Sequence, residues 1–226
     1  MRLRRKLANS AFLNEAAATV LYLYIRFCHV STKWEKSGFE EMEELLRQNQ
    51  PIILVIWHER LIMSPYMFNT RVGRICAITT ESKLASMGKR LLRLFQFEAE
   101  QIDPKKNPTG FNRKVLHRIR AGYSIAISPD GTRGPARIAK PFPIKWSRKT
   151  GAPIFCATFA VRRKLTLSEW SKAHIPLPFN RGALLIERWH GAGDKPISNE
   201  DMQSLTTELG ASLDDITRRA DLIVQN

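Results

Sequence analysis

The sequence predicts a single α/β domain with a mostly parallel central sheet flanked by helices, preceded by an N-terminal amphipathic helix. Two observations carry that reading. Short apolar, β-branched runs alternate with helix-period segments along most of the chain, the pattern of βα units. Several of these runs are continuously apolar, as strands covered on both faces are. The 226 residues, 43% hydrophobic and 25% charged, suffice to bury a real core and argue against disorder. No repeat, low-complexity tract or linker divides the chain. The expected organisation is a membrane-associating helix over residues 1–32 and one domain over 33–226.

The N-terminal segment joins a basic tip (Arg2, Arg4, Arg5, Lys6) to Phe12, Leu13, an apolar, aromatic run from Val20 to Ile25, and Phe27. Basic and aromatic residues flanking a short apolar helix suit a helix lying in a membrane surface. The alternative is a helix packed on the domain's own core, with its cations left in water. The uncharged run Ala16 to Ile25 is bounded by Glu15 and Arg26, short of the roughly 20 apolar residues that span a bilayer. No small-residue cleavage site follows, which argues against a secretory signal.

Beyond it, Gly38 to Asn49 reads as a short helix with Phe39, Met42, Leu45 and Leu46 on one face, stopped by Pro51. Ile52 to Trp57 is an unbroken apolar strand. Residues 59–69 are helical or irregular, Arg74 to Thr80 is a strand, 83–95 a helix, and Phe97 to Ile102 a third strand. A basic amphipathic helix over 110–121 precedes the strand Tyr123 to Ser128. Residues 137–150 suggest a helix interrupted by Pro141 and Pro143. Pro153 to Val161 and Ala183 to Trp189 are the remaining strands. A helix over 199–222 closes the chain, with Ser198 and Asp201 as a capping pair.

Charge is the unusual property. Thirty-six Lys and Arg against 21 Asp and Glu leave +15. Such a balance predicts an anionic partner: nucleic acid, an anionic membrane surface or a phosphorylated substrate. The basic helix Asn112 to Arg120 motivates the first of these, but no RNA-binding signature accompanies it, and no nucleic acid is expected. Cys28, Cys76 and Cys156 are odd in number and each sits in an apolar run, so buried thiols in a reducing compartment are expected. No Cys-x-x-Cys pair suggests a metal.

In open α/β sheets ligands sit at the carboxyl ends of the strands. Two predicted strands end in residues of chemical interest. Ile52–Trp57 runs into His58-Glu59-Arg60, and a histidine there can act as a general base near neutral pH. Tyr123–Ile127 runs into Ser128-Pro129-Asp130-Gly131-Thr132-Arg133-Gly134-Pro135. Proline and two glycines force a tight turn that presents backbone N–H groups, and Arg133 adds a planar donor for phosphate or carboxylate. Neither a Walker loop nor a lipase-type Gly-x-Ser-x-Gly elbow is present. The nucleophile of any reaction is therefore expected from a substrate.

In order, the chain shows a Tyr-Leu-Tyr stretch (Tyr22 to Tyr24), Trp-His-x-Arg-Leu (Trp57 to Leu61), Pro-Asp-Gly-x-Arg-Gly-Pro (Pro129 to Pro135), a Lys-Pro step (Lys140, Pro141), Thr-Gly-Ala-Pro-Ile (Thr150 to Ile154), a shortened Ser-x-x-Trp (Ser168 to Trp170) and Ile-Pro-x-Pro-Phe (Ile175 to Phe179). With these blocks it resembles the lysophospholipid acyltransferase-like superfamily, in particular a small bacterial branch long catalogued as a domain of unknown function. The resemblance covers nearly the whole chain. It implies a glycerolphosphate-acyltransferase-like fold and transfer of a fatty acyl group, from acyl carrier protein or coenzyme A thioester, to a hydroxyl of a lipid acceptor such as a lysophospholipid or lipid A precursor. It implies a peripheral enzyme on the cytoplasmic face of the bacterial inner membrane, with no bound cofactor.

The superfamily's usual His-x-x-x-x-Asp is absent, because Met63 stands five residues after His58. Asp130, Glu59 and Glu81 are the carboxylates in range to support the histidine. The expected roles are His58 and Asp130 in catalysis, and Arg60, Gly131, Thr132, Arg133 and Gly134 in substrate binding. Arg60 or backbone N–H groups around Gly131 would serve the oxyanion, and Arg133 with Thr132 would grip an acceptor phosphate. A silent, membrane-binding member of the fold is the alternative that the missing acid motivates.

Overall fold

The computed structural model describes residues 11–79, 85–101, 108–131, 134–191 and 199–225. In order these form α1 (Ala11–Ser31), β1 (Lys33–Ser37), α2 (Phe39–Arg47), β2 (Ile53–Val55), two 3-10 turns (His58–Arg60 and Ser64–Met67), β3 (Arg74–Thr79), α3 (Ala85–Leu94) and β4 (Glu98–Gln101). Then come α4 (Pro108–Arg120), β5 (Tyr123–Ile127), α5 (Phe142–Thr150), β6 (Ile154–Val161), β7 (Lys164–Thr166), β8 (His174–Pro176), β9 (Arg181–Trp189) and α6 (Asn199–Gln225). The main sheet has the order β1-β9-β6-β2-β5-β3-β4, and β7 and β8 make a separate hairpin. Strands β6, β2, β5, β3 and β4 run parallel; β9 is antiparallel to β6 and parallel to β1. The fold is α/β with a mostly parallel sheet, as predicted.

Successive residues of a strand face opposite sides of the sheet, and β2 shows how that divides the core. Ile53, Val55 and Trp57 join the layer under α4, α5 and α6, with Val115, Ile144 and Leu213. Ile52, Leu54 and Ile56 join the opposite layer, with Ile25 of α1, Met42 and Leu46 of α2, and Phe159. The three thiols are buried and free, as expected.

Some elements depart from expectation. The strand β1 is charged and exposed, with no apolar run to announce it; its ladder with β9 supplies the hydrogen bonds that its sequence does not advertise. The helix expected over 137–150 starts at Phe142, because Pro141 caps it and Pro143 sits in the first turn, where a missing N–H costs nothing. The β7–β8 hairpin was not foreseen. The proposed cap at Ser198 lies outside the described residues.

The helix α1 is integrated into the domain. Ala18, Ile25 and Cys28 are buried, Tyr22 meets Phe95 edge-on at 4.8 Å, and the Tyr24 hydroxyl donates to the Pro176 carbonyl at 2.7 Å. The opposite face exposes Val20, Leu23, Phe27 and Val30. The helix is therefore apolar on two faces, which corrects the simple amphipathic expectation. Among the described residues no helix is long and apolar enough to cross a membrane.

Gly38 joins β1 to α2 with φ +81°, and a Cβ there would lie 1.7 Å from the Ile186 carbonyl oxygen. Both the left-handed backbone and the contact require glycine. Gly38→Ala is expected to lower stability by well over about 1 kcal/mol, the usual scale for Ala at an incompatible φ; thermal melting checks it, and an unchanged Tm contradicts the packing described.

Candidate functional site

Parallel pairing of β2 with β5 sets Val55 beside Ile127. Three residues further along each chain, His58 and Asp130 therefore emerge at the same end of the sheet, as the sequence predicted. The contact between them is not the expected one. Asp130, 1% exposed, accepts the backbone N–H of His58 at 3.3 and 3.4 Å through its two oxygens, and the Arg137 N–H at 3.4 Å. The carboxylate thus ties the end of β2 to the loop after β5. His58 Nδ1 is buried and has no hydrogen-bond partner among the described residues. Asp130 positions the histidine through the main chain, without orienting its ring by hydrogen bonding.

Burial governs both groups. It holds the His58 imidazole below its ordinary value of 6.5, with the Glu169 charge acting the other way. The ring is therefore neutral at physiological pH, the form that a general base needs. Asp130 is pushed up to about 6 by burial, against the hydrogen bonds from Arg137 and His58.

A sign follows for stability. The unfolded carboxyl ionises near 4 and the folded one near 6, so the charged form burdens the fold progressively from pH 4 to 6 and fully above 6. Asp130→Asn removes that burden and keeps an acceptor oxygen. Its Tm relative to the parent is expected to rise between pH 4 and pH 7; a pH-independent difference contradicts this account.

Two expected site residues face elsewhere. Arg60 is 1% exposed, and its guanidinium bonds Asp221 in two parallel contacts of 2.9 and 2.8 Å, Glu59 at 2.8 Å and the Phe159 carbonyl at 2.9 Å. It braces the end of β2 against α6 and β6 and does not line the cavity described below, which corrects its expected role as a substrate or oxyanion donor. Glu59 is shared between Arg60 and Arg137, the latter at 2.6 Å. Burial pushes its carboxyl up, but the bonds and charges of Arg137 and Arg60 outweigh this and hold it below the ordinary range. It is spent in that pair of contacts and does not support His58.

The turn at Ser128–Gly131 is closed by the Gly131 N–H donating to the Ser128 carbonyl at 3.0 Å. That amide, too, is unavailable to an oxyanion. Gly134 has φ +67°, and a Cβ there would lie 2.7 Å from the Trp170 ring. Thr132, Arg133 and Glu81 lie outside the described residues.

Above the strand ends opens a cavity of about 610 Å³, within the roughly 300–1,000 Å³ common for small-molecule sites. Its floor and walls are largely apolar: Leu54 of β2 and Ile56 just after it, Ala126 of β5, Leu91 and Leu92 of α3, Phe97 and Ile25. Its polar lining comprises His58, Ser128, Lys140 and Glu169, with Ser64, Thr79, Lys89 and Ser171.

Three of the lining residues were not assigned to the site from sequence. Lys140 holds its ammonium 2.9 Å from the Asp130 carbonyl, beside Gly131. Trp170 sets its ring 5.1 Å from that of His58, and Glu169 precedes it. Lys140 read as part of a Lys-Pro step, and the two others lie beyond β7, more than a hundred residues from His58. A lone tryptophan in the polar stretch Ser168 to Lys172 was the available signal.

The chain is similar over 185 residues to an uncharacterized protein from Rickettsia prowazekii (strain Madrid E), with 23% identity, covering 81% of this chain and 84% of that protein. No family model matches the chain. The functional reading therefore rests on the site itself.

Proposed function

We propose that the protein is a membrane-surface acyltransferase that moves a fatty acyl group from an acyl carrier protein or coenzyme A thioester to a hydroxyl of a lipid acceptor. One observation carries this reading: a largely apolar cavity lined by the half-buried His58 at the ends of the parallel strands. The cavity holds the acyl chain. His58 takes the proton of the acceptor hydroxyl as its oxygen attacks the thioester carbonyl. The tetrahedral oxyanion lies toward Lys140, a cation that lines the cavity beside the Asp130 carbonyl. It collapses with cleavage of the C–S bond, and the imidazolium returns the proton to the leaving thiolate. Arg133 and Thr132 grip a phosphate on the acceptor, a task suited to a planar guanidinium.

The test combines purified protein, vesicles, acyl thioester donors and a panel of lysophospholipid and lipid A-precursor acceptors. The expected result is release of free thiol with a matching new acylated lipid. A second reading, a lipid-binding protein without chemistry, draws on the unpartnered Nδ1 of His58. Lipid retention with no thiol release from any donor would favour it. For nucleic-acid binding the site offers no support, and Arg118 of the basic helix α4 is engaged by Glu98 and Glu100.

A further inference from the structure

We propose that the β7–β8 hairpin and the turn bearing Phe179 form, together with the outer stripe of α1, one docking face for an anionic lipid bilayer, with the hairpin tip as the entry to the His58 cavity. The inference deepens the proposed function and rests on it for the lipid nature of the substrate.

The first support is the placement of apolar side chains. Val20, Leu23, Phe27 and Val30 recur at spacings of three and four, which puts them on one helix face. That face is turned outward, and Val30 is 72% exposed. The hairpin repeats the inversion. His174 and Pro176 of β8 are buried, so Ile175 and its cross-strand partner Leu165 face away from the domain. Leu165 and Leu167 are exposed where a hairpin in water carries polar residues.

The second support is continuity. Phe27 meets Phe179 edge-on at 5.6 Å, and Phe179 is 71% exposed. The Tyr24 hydroxyl and the Cys28 thiol both donate to the Pro176 carbonyl, and Ser31 Oγ accepts the Phe179 N–H. Helix, turn and hairpin are thereby fastened into one surface.

The third support is charge, which selects the occupant. Arg26, Lys33, Arg162, Arg163, Lys172 and Arg181 are exposed on these elements and the strands adjoining them. Between Arg162 and Arg181 the single acid is Glu169, which lines the cavity. Exposed apolar residues edged by cations match an anionic bilayer surface, where headgroups meet the cations and acyl chains meet the leucines and phenylalanines.

The link to the site is Trp170. It is 39% exposed yet lines the cavity with Glu169, Ser171 and Ala173, and its ring covers His58. One side chain thus faces both the surroundings and the histidine.

The experiment measures partitioning of the full chain onto phosphatidylcholine vesicles with and without phosphatidylglycerol, in the absence of thioester. Wild type is expected to bind the anionic vesicles and to lose affinity at high salt. The double variant Leu165→Ser, Leu167→Ser is expected to bind at least about tenfold more weakly, the scale of burying one leucine, with unchanged Tm because both side chains are exposed. Brominated lipid is expected to quench a component of the tryptophan emission that Trp170→Phe removes. Equal binding by the double variant, or quenching that survives in Trp170→Phe, overturns the proposal. Acyl transfer to a water-soluble, short-chain acceptor tests the chemistry without a bilayer, so docking and catalysis fail separately.

Discussion

His58→Ala is expected to lower the rate of acyl transfer by about 10²–10⁴-fold, the usual contribution of a positioned general base. On the proposed mechanism the loss falls on kcat, because the apolar wall assigned to the acyl chain is untouched. The fold survives, since the half-buried His58 lines a cavity and its Nδ1 makes no hydrogen bond among the described residues. The parent's pH profile supplies a second check. A base must be unprotonated to act, and burial holds this imidazole below its ordinary 6.5. Activity should therefore persist at mildly acidic pH and fall only below that ordinary value. Steady-state assays across pH measure both effects. Full activity in His58→Ala would sink the assignment.

Arg60→Ala is expected to cost about 3–5 kcal/mol of stability, the scale of breaking a buried ion pair by removing one partner. The guanidinium joins four parts of the chain: the turn after β2 through Glu59, β6 through the Phe159 carbonyl, α6 through Asp221, and by way of Glu59 the loop that carries Arg137. Truncation takes both close bonds from Asp221, leaving it Lys164 at 3.9 Å, frees the Phe159 carbonyl, and leaves Glu59 to Arg137. Arg60→Lys is expected to be only partly restorative, because an ammonium cannot make the two parallel bonds to Asp221. Denaturant unfolding measures the loss. A stable Arg60→Ala protein with a raised KM for acceptor would restore Arg60 to the substrate site and contradict the geometry.

Much of the fold was legible because a residue's own segment records how it is buried. Ile52 to Trp57 is an unbroken apolar run and Pro153 to Val161 is interrupted by Thr158 alone; both proved to contribute buried strands of the sheet interior. Helix positions were read from spacing in the same way. The placement of His58 and Asp130 at one end of the sheet also followed, since each trails directly behind a parallel strand.

What the sequence by itself determined was therefore local: which segments are strands or helices, which strand ends carry chemistry, and the cationic balance of the whole. Tertiary structure alone decided which groups meet. It placed β5 against β2, gave the Asp130 carboxylate to the His58 amide instead of its ring, and turned Arg60 inward to Asp221, a residue 161 positions away. It brought Trp170 over His58 from a hairpin with no sequence signature, and it left α1 with one apolar face in the core and another outside. The physical reason is that periodicity and propensity act over a few residues, whereas a buried charge takes whichever partner the packing of distant elements brings within hydrogen-bond reach.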